Sequence, residues 1–186
     1  MPFIKIPYFA IRLTIVLQKN KRATDIESDK LKARLAGRLL ALDPGDKRIG
    51  VAISDELHIT VRPLKALKKT NWKKLLSEFK ELLIEFDAKA LIIGLPVSLD
   101  GIERSAAIGV REFARKLSLS LDVPIFLQDE RLTSYAAEES LRESGLKNAD
   151  IASIDSESAA IILRDFISDS HNRIEISNGG NTVTSD

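Results

Sequence analysis

An α/β fold with a mixed sheet flanked by helices is predicted by three features of the sequence. Leu39-Leu40-Ala41-Leu42-Asp43 and Ile49-Gly50-Val51-Ala52-Ile53-Ser54 are apolar runs separated by Pro44-Gly45-Asp46-Lys47-Arg48, the pattern of a strand, a tight turn and a returning strand. Ala90-Leu91-Ile92-Ile93-Gly94 and Pro124-Ile125-Phe126-Leu127-Gln128 are continuous apolar runs suited to strands buried on both faces. Between them lies an amphipathic stretch, so the succession strand, helix, strand calls for a parallel pair with a right-handed crossover. With a short third strand within Thr60–Leu67, the expectation is five strands, three in hairpin order and two joined by helices.

The hairpin's first strand ends on Asp43, where the backbone turns. Gly45 and Gly50 leave room there for a ligand or another chain segment to come close. A carboxylate beside a glycine turn suits a divalent metal or a bound phosphate. It equally suits a plain hairpin in which Asp43 starts the turn and Lys47 and Arg48 are ordinary turn residues.

The helices follow from spacing. Trp72, Leu75, Leu76, Phe79, Leu82, Leu83 and Phe86 recur at helical intervals behind Asn71, a suitable N-cap. Lys65, Lys68, Lys69, Lys73 and Lys74 cluster at that helix's start, as a solvated face or a nucleic-acid contact. Glu103 to Leu121 reads as a second helix, with Ala107, Val110, Phe113, Ala114, Leu117 and Leu121 inward. Thr133 or Ser134 can cap a third through Ser144, ended by Gly145. A last helix is expected from near Asp155, with Ala159, Ile162, Leu163, Phe166 and Ile167 on its apolar face. Residues 169–186 read as a disordered tail.

Composition narrows the chemistry. The 186 residues are 44% hydrophobic and 30% charged, ordinary for a globular domain with a real core. With no cysteine, disulfides, zinc–thiolate sites and thiol nucleophiles are excluded, in keeping with a reducing compartment. The two histidines, His58 and His171, exclude a histidine-rich metal site, so any metal would be held by oxygen, which points to Mg²⁺ or Mn²⁺.

Residues 1–38 carry nine basic and three acidic side chains, against an overall net charge of +1, so the remainder is −5. That remainder is no broadly cationic nucleic-acid binder, and polyanion contacts must use local patches or a bridging metal. Phe3 to Leu17 is largely apolar but is interrupted by Lys5, Pro7 and Arg12. A bilayer span needs about 20 apolar residues, so no membrane association is expected. A transit peptide would be serine-rich, and the first serine is Ser28. Residues 1–37 are therefore read as an extension outside the core, and 38–168 as the domain.

Acids fall at element ends: Asp43 after the first strand, Asp129-Glu130 after the last, Asp155 at the last helix. Carboxylates converging from separate elements can hold two metal ions about 4 Å apart, which bind the attacking and leaving oxygens of a phosphodiester. Each acid also has a plainer reading. Asp155 can be a helix N-cap, and Asp129 and Glu130 a surface pair bridging to Arg131.

Four stretches together resemble one family. Asp43-Pro44-Gly45-Asp46-Lys47-Arg48-Ile49-Gly50-Val51-Ala52-Ile53-Ser54-Asp55 is similar to the opening motif of the YqgF family of pre-16S rRNA nucleases, which are akin to Holliday-junction resolvases. Gly94-Leu95-Pro96-Val97-Ser98-Leu99-Asp100-Gly101 resembles its second motif. Asp129-Glu130-Arg131-Leu132-Thr133-Ser134, with Ala137-Glu138, resembles the third, and Ile154 to Leu163 the fourth. The resemblance runs in order from about residue 38 to 168.

It implies an RNase H-like fold and a cytoplasmic nuclease that trims the 5′ end of the ribosomal RNA precursor, using Mg²⁺ or Mn²⁺. It places the catalytic, metal-holding acids at Asp43, Glu130 and Asp155, with Glu130 preferred to Asp129 for its longer reach. Lys47, Arg48 and Arg131 are then the candidate phosphate contacts. Precursor rRNA is the expected partner, with branched DNA as the alternative, for a monomer or weak dimer.

The chain departs from the pattern twice. Family members often carry lysine just before the last aspartate, where Ile151-Ala152-Ser153-Ile154 stands. The N-terminal extension is also foreign to the family. A non-catalytic nucleic-acid-binding module of the same fold is a competing expectation. An actin-like phosphotransferase is set aside, because the core leaves no space for a second lobe.

Overall fold

The structure, a computed structural model, describes residues 33–97, 104–130, 151–168, 173–176 and 182–184, without side chains at 151–154 and 182–184. The chain divides into two compact units after Leu35, and the elements below belong to the second. In chain order they are β1 (Arg38–Pro44), β2 (Arg48–Ser54), β3 (Val61–Pro63), β4 (Leu67–Lys68), α1 (Trp72–Glu85), β5 (Ala88–Leu95), α2 (Ser105–Ser118), β6 (Ile125–Asp129), α3 (Ile151–Ser168), β7 (Arg173–Ile176) and β8 (Thr182–Thr184).

The sheet is mixed, in the order β3-β2-β1-β5-β6-β7-β8, with β4 pairing to β2. β1 and β2 form the expected antiparallel hairpin, with Asp43 opposite Gly50. β1, β5 and β6 run parallel, so Pro44, Leu95 and Asp129 end at one edge of the sheet. A β3-β2-β1 meander followed by two parallel strands, with helices packed on the sheet, is the RNase H-like arrangement.

Period-two alternation sorts the strands into two faces. On one, Leu40, Leu42, Val51, Ile53, Leu91, Ile93, Ile125 and Leu127 form the main core with Leu75 and Phe79 of α1 and Val110, Ala114 and Leu117 of α2. Burying a large apolar side chain such as Phe79 fully contributes about 1.5–3 kcal/mol. α1 starts where its sequence says: the Asn71 side chain accepts a hydrogen bond from Lys74 N at 3.0 Å.

The opposite face carries Ala41, Gly50, Ala52, Ala90 and Gly94, all small, and α3 packs there with Ala159, Ala160, Ile162, Leu163 and Phe166 buried. The small residues let the helix backbone come close. Phe126 of β6 meets Phe166 of α3 at 5.5 Å between ring centroids.

Four expectations change. Among the described residues the sheet has eight strands rather than five. The third strand within Thr60–Leu67 is two short ones, β3 and β4, both paired with β2. α3 begins at Ile151, so Asp155 stands in its second turn and is no N-cap. The supposed tail carries β7 and β8, and Ile174 and Ile176 pack partly buried against the core. The anchor of β7 is Arg173, whose guanidinium lies 4.3 Å from the Phe166 ring centroid and donates to the Phe166 carbonyl. The helix expected from Thr133 or Ser134 lies outside the described residues. No helix among the described residues is long and apolar enough to cross a membrane.

Candidate nuclease site

The carboxyl edge of the three parallel strands gathers the acids. Asp43 lies on the α3 face of β1, in phase with Leu39 and Ala41. Glu130 follows β6, and its backbone N–H extends the ladder by donating to Leu95 O at 3.1 Å. It is in phase with Phe126 and Gln128, so it too belongs to the α3 face, whereas Asp129 is in phase with Leu127 on the other. The strand's alternation, rather than side-chain reach, therefore sets Glu130 on the face that Asp43 shares.

Two glycines fit the parts together. A Cβ on Gly94 would overlap Glu130 Oε1 and come within 2.6 Å of Ile162 Cδ1, so the bare backbone makes the space the carboxylate fills. A Cβ on Gly50 would overlap the Asp155 carbonyl and lie 3.1 Å from Ser156 N. Gly50 thus lets α3 lie directly on β2, at the level that sets Asp155 beside Asp43.

The electrostatics record this convergence. Burial and the Asp155 carboxylate raise the Asp43 carboxyl from 3.8 to about 6. Burial, then Asp43 and Asp129, raises the Glu130 carboxyl from 4.5 to about 8. Asp43 is the common neighbour. Like charges held together out of water resist ionisation, a state a divalent cation relieves.

Arg48, a candidate phosphate contact in the sequence, reaches into the cluster, its Nε donating to Asp155 Oδ2 at 2.7 Å with both side chains about seven-tenths buried. Lys47 is exposed at the hairpin turn. Arg131 lies outside the described residues. Among the described residues no three acids or histidines close into a metal-holding group as they stand.

Two polar residues escaped the sequence reading. Gln128 and Ser156 are 2% and 1% exposed, and Gln128 Oε1 and Ser156 Oγ make no hydrogen bond among the described residues. Gln128 lies one alternation behind Glu130, and Ser156 follows Asp155. A polar residue inside an otherwise apolar strand was the available signal for Gln128.

The sheet is of RNase H-like order, with Asp43 on β1, Glu130 after β6 and Asp155 on α3 toward its carboxyl edge, the layout of a nuclease-like class of protein. Residues 37–169 match the family model described as "RuvX: Holliday junction resolvase". The chain belongs to this family. It is 40% identical over 131 residues to a protein of Maridesulfovibrio salexigens named as a candidate pre-16S rRNA nuclease, covering 70% of this chain and 97% of the relative. A protein of Klebsiella pneumoniae with the same name is 37% identical over 137 residues, covering 73% of this chain and 99% of that one. Among solved structures, Thermus thermophilus RuvC in complex with a Holliday junction aligns over 75% of this chain and 99% of its own, at 16% identity and a TM-score of 0.45.

Proposed function

We propose that residues 38–168 form a metal-dependent nuclease that processes the 5′ end of pre-16S ribosomal RNA, in the cytoplasm, as a monomer or weak dimer. The observation that carries the reading is the meeting of Asp43 with both Glu130 and Asp155 at one sheet edge, where burial and like charge raise the Asp43 and Glu130 carboxyls. The names of the relatives supply the substrate.

The donor set fits Mg²⁺ or Mn²⁺. It consists of carboxylate oxygens without cysteine or histidine. Asp43, Glu130 and Asp155 would hold the metal. When bound, it supplies charge neutralisation at the phosphodiester and a more acidic water. Arg48 holds the Asp155 carboxylate in place on the α3 face. Glu130 is more inclined than Asp43 to keep a proton, and it is positioned by the space at Gly94. Lys47, on the exposed turn, is the phosphate contact nearest Asp43 in the hairpin.

The test is cleavage of a 5′-extended 16S precursor with Mg²⁺ or Mn²⁺ by the parent and by Asp43→Asn. The parent should cleave at the 5′ extension, and the variant should lose cleavage while keeping RNA affinity. Cleavage by Asp43→Asn at the parental rate overturns the site. The family description favours a second substrate, so a four-way DNA junction belongs beside the precursor; cutting of the junction alone would assign the site to DNA.

A further inference from the structure

Between Glu56 and Glu78 the chain has no acidic residue and six basic ones: Arg62, Lys65, Lys68, Lys69, Lys73 and Lys74. The fold brings the second half of this stretch to the carboxylate edge. β4 pairs with the start of β2, with Leu67 opposite Ile49 and Lys68 opposite Arg48. Leu67 packs against the main core, so Lys68 projects on the other face, the face on which Arg48 meets Asp155. Directly opposed residues of a pair lie about 4.5–5.5 Å apart, so Lys68 is the next cation outward from the Arg48–Asp155 ion pair.

The chain then rounds the carboxyl edge of the sheet to α1, which packs on the main-core face. Lys69 N donates to Lys47 O at 3.0 Å, which ties the next lysine to the exposed tip of the hairpin. Asn71 then caps α1, whose first turn carries Lys73 and Lys74 and no acid. The burial of Leu75, Phe79 and Leu83 fixes α1's inner face and leaves Lys73 and Lys74 in solvent. Lys47, Lys68, Lys69, Lys73 and Lys74 are all exposed, and none is ion-paired among the described residues. Lysines gathered by two strands and a helix start, against an otherwise acidic domain, form a positive patch with no ion pair among the described residues.

We propose that Lys68, Lys69, Lys73 and Lys74, continuing from Lys47, form a phosphate-binding track that grips the nucleic-acid segment leading away from the cleaved bond. The track rests on the reading of the carboxylate edge as a nuclease site. Its ligand is the sugar–phosphate backbone of a nucleic acid, gripped without regard to base sequence. Arg48 stays with Asp155, so the lysines, rather than the arginine of the opening motif, supply the charge that holds the substrate's flank.

The experiment measures binding without cleavage. A fluorescein-labelled RNA hairpin with a single-stranded 5′ extension, and its DNA counterpart, are titrated in EDTA at several salt concentrations. The proteins are the parent, Lys68→Gln/Lys69→Gln, Lys73→Gln/Lys74→Gln and the charge-matched control Lys80→Gln/Lys116→Gln. Each neutralised phosphate contributes about 0.7–0.9 to the slope of log affinity against log salt. Each track variant should therefore lower the slope by about 1.4–1.8 and weaken RNA and DNA alike, by about tenfold or more at low salt. The control should hold the parental slope.

The proposal is overturned if both track variants bind with the parental slope, if the control loses as much as they do, or if the parent does not bind either probe. Parallel cleavage of the precursor separates this outcome from the nuclease reading. Loss of binding in the track variants, with no cleavage by the parent under any metal, keeps the track and removes the nuclease. Cleavage by the track variants with unchanged KM and salt slope keeps the nuclease and removes the track.

Discussion

Replacing Gly50 with alanine puts the packing of α3 on β2 to a direct test. A Cβ at this position would overlap the Asp155 carbonyl group and lie 3.1 Å from Ser156 N, and the obstruction is helix backbone, which has no rotamer to change. Overpacking a well-filled interior costs about 1–3 kcal/mol, and the upper end applies where no side chain can swing aside. The loss should be about 3 kcal/mol, visible as a drop of about 6–12 °C in Tm for a chain of this size. Gly109, inside α2, is the internal control. An added Cβ there meets nothing within 4 Å, and glycine in a helix interior is worse than alanine by about 0.5–1 kcal/mol, so Gly109→Ala should stabilise by that amount. Urea unfolding of the two variants beside the parent reads both signs. Equal stability of Gly50→Ala and the parent would refute the close approach of α3 and, with it, the placement of Asp155.

Further outcomes follow from the same geometry. Gly94→Ala should cost less stability than Gly50→Ala, because the flexible Glu130 tip can yield, yet it should displace that carboxylate and abolish cleavage; full activity in a precursor assay would count against Glu130 as a ligand. The carboxyls of Asp43 and Glu130 are raised by folding, from 3.8 to about 6 and from 4.5 to about 8, so the folded state holds these protons more tightly than the unfolded chain. In chelator, their contribution is fully present below about pH 4 and is lost as pH rises to 8. Denaturant midpoints against pH should show that decline, and Glu130→Gln should remove most of its upper part. Arg48→Ala breaks the 2.7 Å bond to Asp155 and leaves a part-buried carboxylate uncompensated, a loss of about 1–3 kcal/mol that thermal melts would register; Arg48→Lys should restore only part of it, lacking the Nε donor.

Much of this was legible in the chain because local chemistry and tertiary role agreed. The hairpin of β1 and β2 is written in its apolar runs and Pro-Gly turn, and the start of α1 in Asn71, whose side chain does cap it. Asp43 and Glu130 stood out because each follows an apolar strand run, whereas Asp155 stands inside α3. Other features had no local mark. Arg48 finds its partner 107 residues away, a contact that only the packing of α3 on β2 creates. The start of α3 is ambiguous in the sequence because Asp150, Ser153 and Asp155 are all residue types that cap helices, and Asp155 stands nearest the apolar face. β7 is four residues of alternating Arg-Ile-Glu-Ile in a polar surrounding, too short a period to outweigh composition until Arg173 meets Phe166. Strand phase, present in the alternation from Phe126 onward, sets Glu130 and Asp129 on opposite faces, a distinction that side-chain length does not make.

Calorimetric titration of Mn²⁺ into the parent and into Asp43→Asn, Glu130→Gln and Asp155→Asn bears most directly on the shared carboxylate site. Saturable binding by the parent, weakened by about tenfold or more (about 1.4 kcal/mol) in every one of the three variants, is the expected result. Parental affinity in Asp155→Asn, or no saturable binding by the parent, would show that the three side chains do not serve one ion.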